Sequence, residues 1–201
     1  MARLNRKSAP KVKGGRVQKK NNWELSRDDY YEFTQALPVI DRKRPGSGYR
    51  HLLRKGNVVE FIALLPQWDE LAEGLDAIVL APGEDGLYGW HEQGVVHICA
   101  WPADLWERLD DAFFEPHRDL LDRLGVPYVR RQPETLCKWT DDTARAFQLL
   151  HVLLHELGHH HDRITTATRR GPGRGEPYAE RYARDHGDLI WDRYIDVFGL
   201  D

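Results

Sequence analysis

The feature that most constrains this chain is the segment His155–His159, which reads HELGH inside a strongly helical stretch. Residues four apart share one face of a helix, so His155 and His159 can both point at one metal ion. Glu156 is rotated by about 100° from His155 and borders that face without being a ligand. We therefore predict a zinc site in which Glu156 is the general base for a metal-activated water.

Two further histidines, His160 and His161, follow the motif directly and offer a competing interpretation, a solvated histidine-rich helix end. The residues before the motif, 149–154, are almost all apolar, which favours a helix packed against a core. A glycine-rich loop and a second helix come after it, and that helix can return a third ligand. We therefore favour the metal site.

A tetrahedral catalytic zinc needs a third protein ligand and one open position. Asp162 and His151 lie along the same helix, but Asp162 is about 10 Å from His155 along the axis and His151 is displaced in the other direction. Glu176 is a better candidate, because a helix returning antiparallel would bring its first turn to the metal. Glu180, one turn further on, can accept a proton from the outer nitrogen of a ligand histidine, and it also competes as the third ligand.

The two segments together, HELGH and EPYAE at residues 176–180, resemble the signature of the gluzincins, the thermolysin-like branch of the zinc peptidases. The Tyr182-Ala183 pair that follows makes the second segment similar to that of lethal-factor-like peptidases. The resemblance covers roughly residues 75–197 and implies a minimal zincin-like domain. It implies that zinc is bound by His155, His159 and Glu176, that Glu156 is the base, and that Glu180 supports a ligand histidine. Pro177 departs from the pattern by placing Glu176 as N-cap, which leaves Glu180 a competitor.

The order of predicted elements is helices, a small antiparallel sheet and then helices, which is an α+β plan. We expect a helix from Ser26 to Leu37, a polar loop over 41–50, and a short helix that opens at Asn57 and runs over 58–65. Strands are expected from Leu75 until Pro82-Gly83 ends the first, and over 86–90 and 94–101. Further helices are expected from Ala103 to about Leu124 with a break at Pro116, from Thr143 to about Ile164 with Asp141 or Asp142 as N-cap, and from Pro177 to about Val197.

Charge divides the chain into two parts. The first 20 residues contain eight basic residues and no acidic ones, whereas the remainder carries 21 basic and 32 acidic residues. We expect residues 1–22 to form a basic, disordered arm and residues 23–201 to form a single zincin-like metallopeptidase domain. Weak contact of the arm with a polyanion is the alternative to a solvated terminus, and the acidic body argues against a nucleic-acid-binding core.

Composition also excludes several classes of protein. The apolar runs are too short for a membrane span, so we expect no membrane partner. Two cysteines, Cys99 and Cys137, do not make a disulfide framework, and we expect both to be reduced core thiols. No apolar segment follows the basic N-terminus, so we expect no secretory signal and a cytoplasmic location.

The favoured function is zinc-dependent hydrolysis of peptide bonds in a peptide or protein substrate that pairs with an edge strand at Val95–Trp101. A catalytically silent zincin-fold binding or regulatory module is one alternative, and a toxin-like zinc hydrolase is another. Trp90 is a candidate for lining the substrate groove, and His97 for the cleft wall. The sequence does not choose among the candidate oxyanion donors, which are Tyr178, Tyr182, His186, Arg169, Arg170 and Arg174.

Overall fold

The structure is a computed structural model that describes residues 28–32, 34–166 and 173–200, together with two short strands near the N-terminus. These strands, β1 (Val12–Lys13) and β2 (Arg16–Val17), pair antiparallel. The rest of the expected arm over residues 1–22 lies outside the described residues, as do Ser26, Arg169 and Arg170. Within the described part of the chain, no helix is long and apolar enough to cross a membrane.

The principal sheet has four strands, β3 (Val39–Arg42), β5 (Ala77–Ala81), β7 (Val95–Cys99) and β6 (Gly89–Glu92), in that order. β3, β5 and β7 run parallel, and only β6 pairs antiparallel with β7. The prediction of an antiparallel sheet was therefore wrong for β5 and β7, whereas the expected strands at β6 and β7 do pair antiparallel. Every residue of β5 and β7 is buried, as expected for parallel strands that are covered on both faces.

The strand at Val95–Cys99 lies inside this sheet, between β5 and β6. The prediction that Val95–Trp101 offers an edge to a substrate was therefore wrong. β6 pairs with β7 along that side of the sheet, so β6 and not β7 is the edge strand there. Cys99 and Cys137 are buried free thiols, as predicted.

A second sheet replaces the first part of the helix expected from Ala103. β9 (Trp106–Asp110) pairs with β11 (Glu134–Lys138), which also pairs with β10 (Tyr128–Arg131). The helix α3 begins only at Asp111, because the Asp110 carboxylate accepts from the Phe113 amide 2.7 Å away and caps it there. α3 (Asp111–Arg123) then continues through Pro116, the predicted break.

The helix predicted from Ser26 to Leu37 is reduced to one 3₁₀ turn, Asp28–Tyr31, within the described residues. Two tyrosines anchor this turn through tertiary contacts: Tyr30 is buried and its hydroxyl donates to Asp41 at 3.3 Å, and the Tyr31 hydroxyl contacts His97. Leu37, which the helical stripe would bury, is 79% exposed. The loop expected over 41–50 also contains the end of β3 and β4 (Tyr49–Arg50), which pairs with β8 (Trp101–Pro102).

The predicted C-terminal helices are present. The helical segments of the described chain are α1 (Lys55–Ile62), α2 (Trp68–Leu71), α3, α4 (Asp141–Phe147), a π-helical segment (Gln148–Leu153), α5 (Leu154–Thr165) and α6 (Glu176–Phe198). Thr140, not Asp141 or Asp142, caps α4 by accepting from the Thr143 amide. Gly175, not Glu176, is the N-cap of α6. The chain is thus a mixed α and β protein with small sheets and several helices, compatible with an α+β plan.

Candidate metal centre

The candidate centre lies where α5 and α6 pack against each other. α5 carries the HELGH segment, and α6 carries Glu176 and Glu180. The helices approach closely at Gly158, where an added Cβ would lie 2.9 Å from the Cα of Ala179 and 3.0 Å from the Cβ of Tyr182. The glycine of HELGH therefore sets the distance at which α6 presents its carboxylates.

His155, His159 and Glu176, called here the first site, bring their ligand atoms into a compact triangle. The two Nε2 atoms are 3.1 Å apart, Glu176 Oε2 lies 3.1 Å from Nε2 of His155, and Glu176 Oε1 lies 3.3 Å from Nε2 of His159. A tetrahedron with bonds of 2.0–2.1 Å has edges of about 3.3 Å. The three groups therefore fit the ligand spacing of a four-coordinate zinc with one position open. The sequence-predicted ligands are brought together.

Glu180 lies on the other side of the His155 ring. Its Oε1 is 3.2 Å from Nδ1 of His155. Burial acts to raise the pKa of Glu180, but the rings of His117, His155 and His151 outweigh it and hold the pKa well below its usual range. An ionised Glu180 at this position can orient the His155 ring and make its outer nitrogen a better ligand.

Glu156 is buried beside the triangle, with 6% of its surface exposed. Burial raises its pKa to about 7, and the positive field of His155 opposes this shift only partly. A bound cation would also oppose it, because positive charge favours the carboxylate. Without metal, Glu156 thus holds its proton more tightly than an exposed glutamate, and a cation at the first site would bring its pKa back down.

The two histidines of the first site have different environments. Burial acts to lower the pKa of His155, but the carboxylates of Glu180, Glu156 and Glu176 outweigh it and raise the pKa. The pKa of His159 is lowered by burial and by the neighbouring His155 ring. Two ring nitrogens that face each other at 3.1 Å need a proton or a cation between them, and the surrounding carboxylates favour either one.

The edge strand β6 passes over this centre. A Cβ on Gly89 would lie 2.8 Å from Cγ1 of Val152 and 3.3 Å from Cγ of Glu156, so the strand can lie this close only because Gly89 has no side chain. The Cys99 amide donates to the Tyr88 carbonyl, and this bond fixes which residues of the β6–β7 hairpin form hydrogen-bonded pairs and which do not. Backbone groups of Gly89 and His91 consequently point away from β7, toward the outer edge.

The histidines next to the motif are not a solvated helix end. His160 is fully buried and its Nε2 donates to the Glu73 carbonyl at 3.0 Å, and His161 contacts the Tyr178 hydroxyl at 2.6 Å. His97 is buried in β7 and stacks on Trp90 with ring centroids 4.0 Å apart, so these two rings pack on each other.

The described candidates for oxyanion donors contact each other or line a different cleft. Tyr182 stacks on His186 at 3.8 Å, and Arg174 binds Asp162. Tyr178, Tyr182 and His186 line a cleft of about 1060 Å³ beside α2 whose walls include neither His155 nor His159. These contacts give none of the candidates an assigned role at the first site.

Three residues carry roles that the sequence did not indicate. His117 contacts His151, the histidine set aside above as too distant to be a ligand, with 2.9 Å between their Nε2 atoms. Asp162 binds the segment before α6. The spacing of four residues between His151 and His155 is a sequence pattern that could have indicated a role for His151. No sequence pattern indicated the roles of His117 and Asp162.

We compared the chain with known proteins. No family model matches the chain, and searches of curated proteins and of solved structures also find no match. The resemblance to gluzincins therefore rests on the residues of the two sequence segments alone.

Proposed function

We propose that this chain is a zinc-dependent hydrolase of peptide bonds. The observation that carries the proposal is the triangle of His155, His159 and Glu176, with edges of 3.1–3.3 Å, beside the buried carboxylate of Glu156. Two imidazoles and one carboxylate are a ligand set typical of catalytic zinc, and three ligands leave one position for water or substrate.

Zinc at this position would lower the pKa of a water in its open position to about 7 and polarise a substrate carbonyl. Glu156 would accept a proton from a water whose oxygen bonds to the substrate carbonyl carbon. Glu156 then delivers the proton to the amine nitrogen as the carbon–nitrogen bond breaks, so that acid and amine are released. A buried carboxylate beside the first site can perform both transfers.

The position of β6 supports an extended peptide as substrate. The backbone groups of Gly89 and His91 point toward its outer edge, next to Glu156. A peptide can add to such an edge as another strand and present its backbone carbonyl to the centre. The edge strand thus supplies binding that does not depend on one particular side chain.

The test uses the full chain, a mixed peptide library, and zinc analysis of every sample. We expect cleavage by the wild type, loss of cleavage with a chelator, and recovery on adding zinc. Glu156→Gln should retain zinc but lose activity by ~10²–10⁴-fold, the range for general acid–base catalysis. Glu60→Gln, an exposed carboxylate on α1, is the matched control and should be unaffected.

Two results would overturn the proposal. One is a zinc-loaded wild type that cleaves no peptide in the library, which would favour the binding module or a non-peptide substrate. The other is Glu156→Gln with zinc and activity both intact, which would remove the base from the mechanism.

A further inference from the structure

A second cluster of potential ligands lies behind His155, away from the first site. His117 projects from α3, His151 from the π-helical segment and Glu180 from α6. We propose that His117, His151 and Glu180 form a second site for a divalent transition metal such as zinc. This second site needs no catalytic activity at the first and shares no ligand with it.

The spacing of the ligand atoms supports metal binding. The Nε2 atoms of His117 and His151 are 2.9 Å apart, and Oε1 of Glu180 lies 3.7 Å from the first and 4.0 Å from the second. These distances bracket the edge of about 3.3 Å for tetrahedral zinc. Movements of well under 1 Å, of the Glu180 carboxylate toward the two rings and of the two rings apart, would bring all three atoms to that spacing.

The hydrogen bonding of His117 prepares it as a ligand. Its Nδ1 lies 2.6 Å from the Phe113 carbonyl, and because a carbonyl only accepts, Nδ1 carries the proton. In the neutral ring Nε2 then has a free lone pair, and this atom faces His151 and Glu180. Metal-binding histidines commonly donate their other ring N–H to a carbonyl or carboxylate in this way, which fixes the ring orientation.

The second site is sheltered but open on one side. The side chains of His117 and His151 are 8% and 11% exposed, whereas that of Glu180 is 42% exposed. All three line a cavity of about 280 Å³ between α3 and α6. The cavity gives a metal ion a route of entry and leaves room for a water as a fourth ligand.

Glu180 connects the two sites, because the oxygen that faces His117 and His151 also lies 3.2 Å from Nδ1 of His155. The two metal positions are therefore on opposite edges of one imidazole ring. The alternative for the second cluster is a metal-free contact in which a proton lies between the two histidines. The stoichiometry of metal binding separates these cases.

The experiment measures Zn²⁺ and Co²⁺ bound per full-length chain, after chelator treatment, by equilibrium dialysis with metal analysis. The variants are His117→Gln and His151→Gln for the second site, His159→Gln for the first, and His186→Gln as a control histidine outside both. Far-ultraviolet circular dichroism and thermal unfolding without metal check that each variant folds. Two independent second-site variants keep the test decisive if one of them is unstable.

We expect two equivalents for the wild type and the control, one for each second-site variant, one for His159→Gln, and none for His117→Gln combined with His159→Gln. A single equivalent in the wild type that survives in His117→Gln and His151→Gln and disappears in His159→Gln would overturn the second site and leave the first. A single equivalent with the opposite pattern would support the second site and overturn the first.

Discussion

The buried carboxylate of Asp162 on α5 binds Arg174 through both its side chain and its backbone. Arg174 donates Nε to Oδ1 at 2.7 Å and its amide to Oδ2 at 2.8 Å, and the Gly175 amide donates to Oδ2 at 3.0 Å. Asp162 has no exposed surface, yet it lies just beneath Arg174, which is 38% exposed. Asp162 thus connects α5 to Gly175, the N-cap of α6, which immediately precedes Glu176.

The first prediction is that Asp162→Asn weakens zinc binding without touching a ligand. An amide keeps the shape but loses the charge that faces Arg174, and we expect a loss of about 1–3 kcal/mol in unfolding free energy. Zinc affinity at the first site should fall in parallel, because the start of α6 is no longer held. Denaturant unfolding and chelator competition measure the two effects, and unchanged zinc affinity in a destabilised variant would contradict the positioning role.

The second prediction concerns the contact between Gly158 and Ala179. A methyl group at Gly158 cannot fit at 2.9 Å from the Ala179 Cα, so α6 must move away from α5. We expect Gly158→Ala to destabilise the protein by about 1–3 kcal/mol and to weaken zinc binding. Gly56→Ala is the matched control, because Gly56 is also helical but has nothing within 4 Å, and it should be neutral or slightly stabilising. Equal thermal unfolding of the two variants would refute this account of the interface.

The two C-terminal helices and the metal motif were predictable because their signals are local. The apolar periodicity before His155 and the i, i+4 histidine spacing both arise within a single helix. An antiparallel return of α6 after the loop was an assumption, and it made Glu176 the favoured third ligand while Glu180 remained a competitor. The apolar periodicity and the histidine spacing can each be recognised within one segment of the sequence, without knowledge of its tertiary contacts.

The features that were missed depend on partners distant in sequence. β3 pairs in parallel with β5, and His117 meets His151 across 34 residues. The strand β9 was predicted as helix because Pro102 resembled a helix start, and its pairing with β11 outweighs that local preference. Nothing near Asp162 in the sequence indicates that its carboxylate binds the segment before α6.

The third prediction is a pH dependence that arises at Glu107, which is far in sequence from the residues of both proposed metal sites. Burial raises its pKa to about 7, although the Tyr88 hydroxyl donates to it at 2.8 Å and opposes the shift. A folded-state pKa above the unfolded one means that the native state binds the extra proton. Stability should therefore fall as the pH rises from about 4.5 to 7, by about 1–3 kcal/mol.

Glu107→Gln isolates this contribution, because the amide retains an acceptor for Tyr88 but does not titrate. The difference in unfolding free energy between wild type and variant, measured with chelator present, should change across that pH range and be flat above it. A difference that is independent of pH between 4.5 and 7 would show that Glu107 does not have a raised pKa.

The fourth prediction distinguishes the roles of Glu176 and Glu180 at the first site. Glu176 contacts Nε2 of both His155 and His159, whereas Glu180 contacts Nδ1 of His155. Glu176→Gln should therefore cause the larger loss of zinc affinity, because it removes a ligand charge. Glu180→Gln should cost about 10–100-fold, as is typical when a partner of a metal-bound histidine is lost.

Both changes are made in the His117→Gln background, so that metal binding at the second cluster does not contribute, and affinities are measured by chelator competition. If Glu180 were the third ligand, the order of the two losses would reverse. The geometry argues against that reversal: the single oxygen through which Glu180 reaches His155 is directed at the ring edge opposite the Nε2 atom that faces His159. For Glu180 to bind the same ion as His159, its carboxylate would have to pass around the His155 ring, while Glu176 is already in contact with both nitrogens.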